Sequence, residues 1–240
     1  MIIAANFKAN MTRATSKEYI EKVNNFSQSL SQDIYIFPPA TALDTFDTNI
    51  NVGSQNAYSA QNGAFTGETA LEQLEEFGID TILIGHSERR HVLKETQEDI
   101  ARKFAFYKEK NFKIIYCVGE TLEQRDKNET KSIIETQIRE GLAKTTVSDL
   151  INIVIAYEPV WAIGTGQTAS PEQAQEIHGF IRQLIADLYN NESANNLRII
   201  YGGSVNPKNA AEIISQPDID GCLPGGASLD PESFAKIIKA

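Results

Sequence analysis

Eight short apolar segments, each followed by a stretch of helical composition, recur along the chain, and this alternation constrains the fold more than any other feature. The segments are rich in β-branched residues, which is typical of strands buried on both faces of a parallel sheet. Divided among eight units, the 240 residues give about 30 per unit, the size of one strand–helix repeat. The predicted strands are Ile2–Asn6, Ile34–Phe37, Asn51–Ser54, Thr81–Gly85, Lys113–Val118, Ile153–Tyr157, Arg198–Tyr201 and Ile219–Leu223. The predicted helices are Lys17–Leu30, Ala42–Asn49, Ala70–Phe77, Glu95–Lys110, Thr130–Ala143, Glu172–Tyr189, Lys208–Ile214 and Glu232–Lys239.

This pattern predicts an α/β fold, a closed (β/α)8 barrel of eight parallel strands ringed by helices, formed by one domain over residues 1–240. An open, doubly wound sheet is the alternative, because the third strand, Asn51–Ser54, is weak. The longest segment without predicted structure is Gln55–Glu68. Loops of that length in compact domains are usually functional or take part in an interaction.

Several predicted helices carry start signals. Thr15 and Glu18 have the spacing of a capping box. Ser170-Pro171-Glu172 and Asp230-Pro231-Glu232 each combine an N-cap residue, a proline at the first helical position and an acidic residue in the first turn. Asn206-Pro207 has the first two of these features and predicts a fourth helix start.

The composition argues against several classes of protein. A net charge of −10 disfavours nucleic acid or an anionic membrane as a partner. No stretch approaches the ~18 consecutive apolar residues of a membrane span. With two cysteines, Cys117 and Cys222, and no CxxC motif, we expect buried thiols in a reducing, cytoplasmic compartment. The first residues lack the long apolar core of a signal peptide.

In a (β/α)8 barrel the chemistry lies at the C-terminal ends of the strands. The predicted strand ends carry one amine, one imidazole, two carboxylates and three glycine-rich turns. These residues are Asn6 and Lys8 at the end of the first strand, Gly85-His86 and Glu88 at the end of the fourth, Glu158 after the sixth, Gly202-Gly203-Ser204 after the seventh, and Gly225-Gly226 after the eighth. No cluster has the spacing of metal ligands, so acid–base chemistry beside an anion site remains.

Glu158 is followed by the stiff Pro159, the bulky Trp161 and the flexible Gly164-Thr165-Gly166. This order fits a general base covered by a moving lid. A surface carboxylate followed by an ordinary turn is the alternative interpretation.

The two glycine pairs at the ends of the last two strands fit a phosphate site. Glycine lets backbone N–H groups approach a ligand closely, and phosphate sites in barrels typically follow strands seven and eight. The alternative is that both pairs only make tight turns.

His86 precedes a polar turn, Ser87–Arg90. If this turn winds into a short helix, its dipole would lower the pKa of His86, and the neutral imidazole could donate a hydrogen bond to a developing oxyanion. Lys8 would supply positive charge for an anionic substrate, and Glu88 is expected to pair with Lys8. A structural histidine and a solvated lysine are the alternatives.

Seven motifs, in order over essentially the whole chain, resemble those of the triosephosphate isomerase family. The motifs are Asn6–Asn10, Gly63–Glu68, Ile84–Arg90, Cys117–Glu120, Ala156–Gly166, Tyr201–Val205 and Gly225–Leu229. Those after the fourth and sixth strands are the most specific. The family folds as a TIM barrel and uses a Glu base with a neutral His, a general example of pKa tuning.

The resemblance implies a catalytic role for each matched residue. Glu158 would move a carbon-bound proton between dihydroxyacetone phosphate and glyceraldehyde 3-phosphate, and His86 would polarise the carbonyl. Asn6 and Lys8 would hold the substrate and stabilise negative charge, and Glu88 would act beside Lys8. Backbone N–H groups at four further residues would bind the phosphate: Gly164, Ser204, Gly225 and Gly226. Pro159 to Ala169 would form the lid, and no cofactor or metal would be needed.

The resemblance also implies a homodimer, in which the loop Gln55–Glu68 inserts into the partner. Asn10 and Thr66 would then be cross-subunit contacts near the site. A flexible surface loop on a monomer is the alternative.

Three residues depart from the family pattern. Phe7 stands where Trp is usual, and Ala9 stands where Met is usual. Pro224 stands where an aliphatic residue usually precedes the double glycine; it removes a backbone N–H at a strand end. Because it falls at the end of the strand, we expect the barrel to tolerate Pro224.

Other functions remain open at this level. Another phosphate-binding barrel enzyme would need a different acid–base pair or a Schiff-base lysine. A catalytically weakened homologue could serve as a phosphate-ligand binding or scaffold protein, although Lys8, His86 and Glu158 are all present. A purely structural barrel would leave the two glycine pairs unexplained.

Overall fold

The computed structural model describes residues 1–163 and 167–240. Within them the chain forms eight strands: β1 Ile2–Asn6, β2 Asp33–Phe37, β3 Asn51–Val52, β4 Thr81–Ile84, β5 Lys113–Val118, β6 Ile153–Tyr157, β7 Arg198–Tyr201 and β8 Gly221–Cys222. The helices of the same residues are α1 Arg13–Ser27, α2 Leu71–Glu76, α3 Ser87–His91, α4 Gln97–Glu109, α5 Leu122–Asp126, α6 Thr130–Gly141, α7 Pro171–Leu188, α8 Asn191–Asn196, α9 Ala210–Ile214 and α10 Pro231–Ile238. Short 3₁₀ turns span Ala40–Ala42, Val147–Asn152, Val160–Ala162 and Gly226–Ser228.

The strands form one parallel sheet in the order β3-β2-β1-β8-β7-β6-β5-β4. A bridge between Ser54 and Ile82 joins the two ends of this order, so the sheet closes on itself. The predicted (β/α)8 barrel is confirmed, and the open doubly wound sheet is wrong. β3 is weak, as the sequence indicates, but Ser54, two residues beyond its end, completes the ring.

Strand alternation divides the core into two layers. Alternate residues such as Ile2 and Ala4 on β1, and Val154 and Ala156 on β6, belong to the cluster inside the barrel. Their neighbours, such as Ile3 on β1, belong to the larger cluster that packs the strands against the helices. The period of two expected for a pleated strand therefore decides which side chains point into the barrel.

The helix starts at Ser170 and Asp230 are confirmed. Each side chain accepts a hydrogen bond from the N–H three residues on, and each is followed by a proline at the first helical position. The capping box at Thr15 and Glu18 is wrong, because α1 begins earlier: Thr12 is the N-cap and pairs reciprocally with Thr15.

The predicted helix Ala42–Asn49 is wrong, and the helix predicted over Lys208–Ile214 forms but begins two residues later, for the same physical reason. In Ala42–Asn49 short polar side chains bond to the backbone, as Asp44 Oδ1 does to the Thr45 N–H at 3.0 Å, and so compete with a helix. After Asn206-Pro207 the chain makes a turn, in which Asn206 Oδ1 accepts the Lys208 N–H at 2.9 Å. α9 then begins at Ala210.

Two short helices, α5 and α8, were not predicted. Thr121 is the N-cap of α5 and Asn190 is the N-cap of α8, so each helix has a start signal in the sequence. The helices themselves span only five and six residues. Among the described helices, none combines the length and the apolar character needed to cross a membrane.

Candidate active site

Asn6 and Glu158 reach the mouth of the barrel because they continue the inward-facing rows of their strands. Asn6 follows Ile2 and Ala4 in the alternation of β1, and Glu158 follows Val154 and Ala156 in that of β6. Both polar side chains are buried. In each of these two strands, a buried row thus ends in a polar side chain at the C-terminal edge of the barrel, where the active sites of such barrels lie.

His86 is positioned by a break in this alternation. Gly85, after β4, has a positive φ of 78°, which turns the chain so that His86 becomes the N-cap of α3. The turn after His86 is therefore a helix, which is the condition for a dipole at this histidine. His86 Nδ1 accepts the Glu88 N–H at 3.2 Å. In the neutral ring the proton lies on Nε2, which faces Glu158.

The Glu158 carboxylate makes two contacts with the beginning of α3. Its Oε2 accepts the Ser87 N–H at 2.8 Å, and its Oε1 lies 3.2 Å from His86 Nε2. Gly202 packs behind it: a Cβ there would lie 2.7 Å from Glu158 Cγ, so a larger residue would displace the carboxylate. The structure brings the predicted base and the predicted electrophile into direct contact.

Lys8 and Glu88 form the predicted ion pair, with Nζ and Oε1 2.8 Å apart. Lys8 has a positive φ of 52°. Its N–H donates to Asn6 Oδ1 at 2.9 Å, and its carbonyl accepts from Gln55 Nε2 at 2.8 Å. The side chains of Asn6, which is buried, and of Gln55, which is half-buried, therefore fix the backbone of Lys8.

The residues of the expected phosphate site lie around one cavity of about 460 Å³. Ser204, Gly225 and Gly226 line it together with Asn6, Lys8 and His86. A Cβ on Gly225 would lie 3.0 Å from Lys8 Cε, so the turn after β8 abuts the amine. Gly164, the remaining predicted phosphate contact, lies outside the described residues, as does the centre of the expected lid.

Glu158 is not among the described residues that line this cavity, although His86, which it contacts, is one of them. The sequence predicts a base directed at the substrate, whereas in the structure the carboxylate is held by Ser87 and His86. The reason is local: the Ser87 N–H is at the N-terminus of α3 and attracts a negative charge. To reach a bound ligand the carboxylate has to turn.

Glu120 has a role that the sequence patterns did not predict. This carboxylate, two residues beyond β5, has no exposed surface and accepts hydrogen bonds from Tyr157 Oη at 3.1 Å and from Trp161 Nε1 at 2.9 Å. Glu120 follows a buried strand and lies in the Cys117–Glu120 motif, and these two features of the sequence could have indicated its role.

Both cysteines are buried, as expected, and burial raises the pKa of the Cys222 thiol to about 12. Burial also raises the pKa of Cys117 well above its ordinary value, and nearby Glu158 adds to that shift. Neither thiol is therefore a nucleophile at neutral pH. In the described part of the chain, no group of three or more His, Cys, Asp or Glu side chains could hold a metal ion.

The fold and this site define a class: a (β/α)8 barrel with a carboxylate and an imidazole in contact beside a glycine-lined cavity. The family model described as triosephosphate isomerase matches residues 1–240, and the chain belongs to the triosephosphate isomerase family. A triosephosphate isomerase from a Nitratiruptor species is 50% identical over 241 residues, which cover 100% of this chain and 97% of the relative. Those of Rhodopirellula baltica and Wolinella succinogenes are 47% and 46% identical, each over 100% of this chain and over 97% and 99% of the relative.

Proposed function

We propose that Glu158 and His86 carry out the reaction of this family, the interconversion of dihydroxyacetone phosphate and glyceraldehyde 3-phosphate, a step of glycolysis and, in reverse, of gluconeogenesis. The observation that carries the proposal is the contact between the Glu158 carboxylate and His86 Nε2, at 3.2 Å, beside a cavity of about 460 Å³. It joins a base and a proton donor at the place where a triose would lie.

The reaction begins when the substrate carbonyl displaces Glu158 from His86. The Nε2–H of His86 then donates to the carbonyl oxygen, and the freed carboxylate turns from the Ser87 N–H towards the adjacent carbon. Glu158 removes a proton from that carbon, the electrons move onto the oxygen held by His86 and Lys8, and an enediolate results. His86 next gives its Nε2 proton to this oxygen and takes the proton of the neighbouring hydroxyl, so the negative charge moves to the other oxygen. Return of the proton from Glu158 to the former carbonyl carbon then leaves the new carbonyl on the other carbon and completes the isomerisation.

Lys8 and Asn6 stabilise the negative charge of the enediolate. The Lys8 amine already balances the Glu88 carboxylate at 2.8 Å, so Glu88 holds it in place at the edge of the cavity. In a protein with a net charge of −10, this local amine provides the attraction that an anionic substrate needs.

Ser204, Gly225 and Gly226, with Gly164 from the lid, bind the substrate phosphate in this proposal. The first three line the same cavity as His86 and Lys8. Asn209 Nδ2 donates to the Ser204 carbonyl at 3.1 Å and stabilises the turn after β7. The lid, Pro159 to Ala169, would exclude water while the enediolate exists.

The chain acts as a homodimer in this proposal, in the cytoplasm and without a cofactor. Residues 61–68, at the tip of the loop Gln55–Glu68, are all exposed, and Phe65 among them is a large apolar side chain. A second cavity of about 330 Å³, lined by Glu68, Glu88 and Leu93 among others, lies beside Lys8 and could receive the tip of a partner's loop. The interface would be isologous.

The proposal is tested by converting glyceraldehyde 3-phosphate with purified protein in deuterated water. We expect a turnover near the upper range of enzymes and deuterium on the carbon of the product next to the carbonyl. Glu158→Gln keeps the size of the side chain but removes the base, and should reduce kcat by about 10²–10⁴. A folded wild-type protein without activity, or an active Glu158→Gln variant, would contradict the proposal.

A further inference from the structure

The segment after Glu158 is attached to the rest of the barrel through the buried carboxylate of Glu120. Trp161 donates its indole N–H to Glu120 Oε1 at 2.9 Å, and the Val160 N–H donates to the Glu120 carbonyl at 3.0 Å. Pro159–Ile163, which we call the lid entrance, is thus held by both the side chain and the backbone of Glu120.

A third group reaches Glu120 from the outside of the molecule. Arg125 lies on α5, a helix without buried residues, and its Nη1 donates to Glu120 Oε1 at 3.3 Å. The same guanidinium lies over the Trp161 ring, with Cζ 4.5 Å from the ring centroid. Arg125 therefore contacts the carboxylate and the indole that the carboxylate binds.

We propose that Arg125 is a positioning residue for the lid entrance, acting through Glu120 and Trp161; this inference rests on the proposed function. The described residues that line the cavity of the active site do not include Arg125. Its role is to fix the Trp161 ring, three residues beyond the base, so that the backbone of Pro159–Ile163 and of Glu158 stays in place while the Glu158 carboxylate turns.

Two physical effects make Arg125 suited to this role. Glu120 has no exposed surface, and a buried carboxylate needs an opposite charge or several donors to stay ionised. A planar guanidinium supplies the charge and at the same time stacks on an aromatic face, which an ammonium group does less well. Without Arg125, Glu120 would keep its neutral donors but lose this cation, and the Trp161 ring would lose its cover.

The lid entrance is also joined to the expected phosphate site. Ser204 Oγ donates to the Ala162 carbonyl at 2.5 Å, so a shift of the lid entrance would also displace Ser204 in the turn after β7. Because Pro159 directly follows Glu158, a displaced entrance should also misplace the base and slow the chemical step.

Trp161 is the single tryptophan of the chain, so intrinsic tryptophan fluorescence reports on the lid entrance alone. The experiment compares Arg125→Met, which keeps length but removes charge and planarity, with Arg125→Lys, which keeps the charge. Arg139→Met is the matched control, because Arg139 pairs instead with Glu135 within α6. Each protein is measured for Trp161 emission, acrylamide quenching, kcat and KM.

We expect Arg125→Met to red-shift Trp161 emission, to increase its quenching and to reduce kcat by about ten- to a hundredfold, as for a misplaced catalytic group, with a smaller rise in KM because the entrance also contacts Ser204. Arg125→Lys should recover part of the kcat loss, and Arg139→Met should match the wild type. Wild-type emission and kcat in folded Arg125→Met would overturn the proposal. So would equal losses in Arg125→Met and in the control, or a Lys variant no better than the Met variant.

If Arg125→Met does not fold, the emission and kcat of Arg125→Lys decide the question, because the loss of stacking alone should shift both. Emission and quenching need no substrate. An inactive wild type would therefore refute the proposed function, while the fluorescence would still show whether Arg125 positions Trp161.

Discussion

Glu158, at the scale of single residues, has two contacts that it would have to give up in the proposed mechanism. The Ser87 N–H and His86 Nε2 lie 2.8 and 3.2 Å from its carboxylate oxygens, and in that mechanism the substrate carbonyl competes for the second of these donors. Binding of substrate and release of the base would then be coupled through one imidazole proton. The proposal therefore predicts that the position of the carboxylate, and not only its presence, decides the rate.

Glu158→Asp tests this dependence on reach. The shorter side chain keeps the carboxylate but withdraws it by about one bond length, so we expect kcat to fall by about 10²-fold with little change in KM. Glu192→Asp, an exposed position on α8, is the control and should be neutral. Wild-type kcat in Glu158→Asp would show that the position of the base is not limiting.

His178, on α7, provides a test of stability against pH. It has no exposed surface, and burial lowers its pKa from 6.5 to about 4. Between these values the unfolded chain binds more protons than the folded one, so the free energy of unfolding falls as the pH falls from about 6.5 to about 4, by up to about 1.4 kcal/mol per pH unit.

His178→Gln removes this titration and can still donate to the Asp218 carbonyl that His178 Nδ1 contacts. Urea unfolding at pH 7 and pH 5 should show a smaller loss of stability in the variant than in the wild type. Equal losses would mean that His178 remains protonated in the folded protein.

The sequence indicates most of the candidate site, because most of its residues end predicted strands. Asn6 and Glu158 follow from the alternation of β1 and β6. The contact of Glu158 with Ser87 does not, since it depends on a backbone N–H from another strand–helix unit. Arg125 was missed because α5 is short and because its contact with Glu120 depends on how the loop after β5 folds.

At the scale of elements, the question is whether Pro224 disturbs β8, because a proline near a strand lacks the backbone N–H that a sheet can use. β8 ends at Cys222, so Pro224 lies two residues beyond it. Its carbonyl accepts from the Asn6 N–H at 3.2 Å and from Ser228 Oγ at 3.0 Å. These bonds use the carbonyl and do not require the N–H that proline lacks.

Pro224→Val should therefore leave KM for the triose phosphate unchanged. It should lower the free energy of unfolding by about 0.4–1 kcal/mol, because proline restricts the unfolded chain. Steady-state kinetics and thermal unfolding of the two proteins measure both effects. A large gain in substrate affinity would show that Pro224 distorts the turn Gly225-Gly226.

Elements were predictable where the apolar pattern is strong. β1, β5, β6 and β7 have the predicted bounds, since each is an unbroken or nearly unbroken apolar run. The failed helix at Ala42–Asn49 shows the limit: its composition allows a helix, but its side chains satisfy the backbone without one. Such competition depends on geometry that a sequence pattern does not contain.

The proposed dimer is tested at the scale of the whole molecule by a charge on the loop tip. Phe65 has 39% of its surface exposed and packs its ring 4.2 Å from that of Tyr58. Phe65→Glu should shift the protein from dimer to monomer in sedimentation velocity and lower its activity, because a buried unpaired charge is costly. Val147→Glu is the control, since Val147 is also exposed but lies at the N-terminal side of β6. A dimeric Phe65→Glu variant would contradict this interface.

The closure of the barrel at Ser54 has a thermodynamic consequence. Where β5 and β6 pair over five residues, the bridge at Ser54 is made by two backbone bonds, from its N–H to the Thr81 carbonyl at 2.9 Å and from the Leu83 N–H to its carbonyl at 2.8 Å. The next residue begins the loop Gln55–Glu68. In the proposed dimer, a partner that binds this loop would therefore also favour the closed ring, and by mass action we expect the melting temperature to rise with protein concentration.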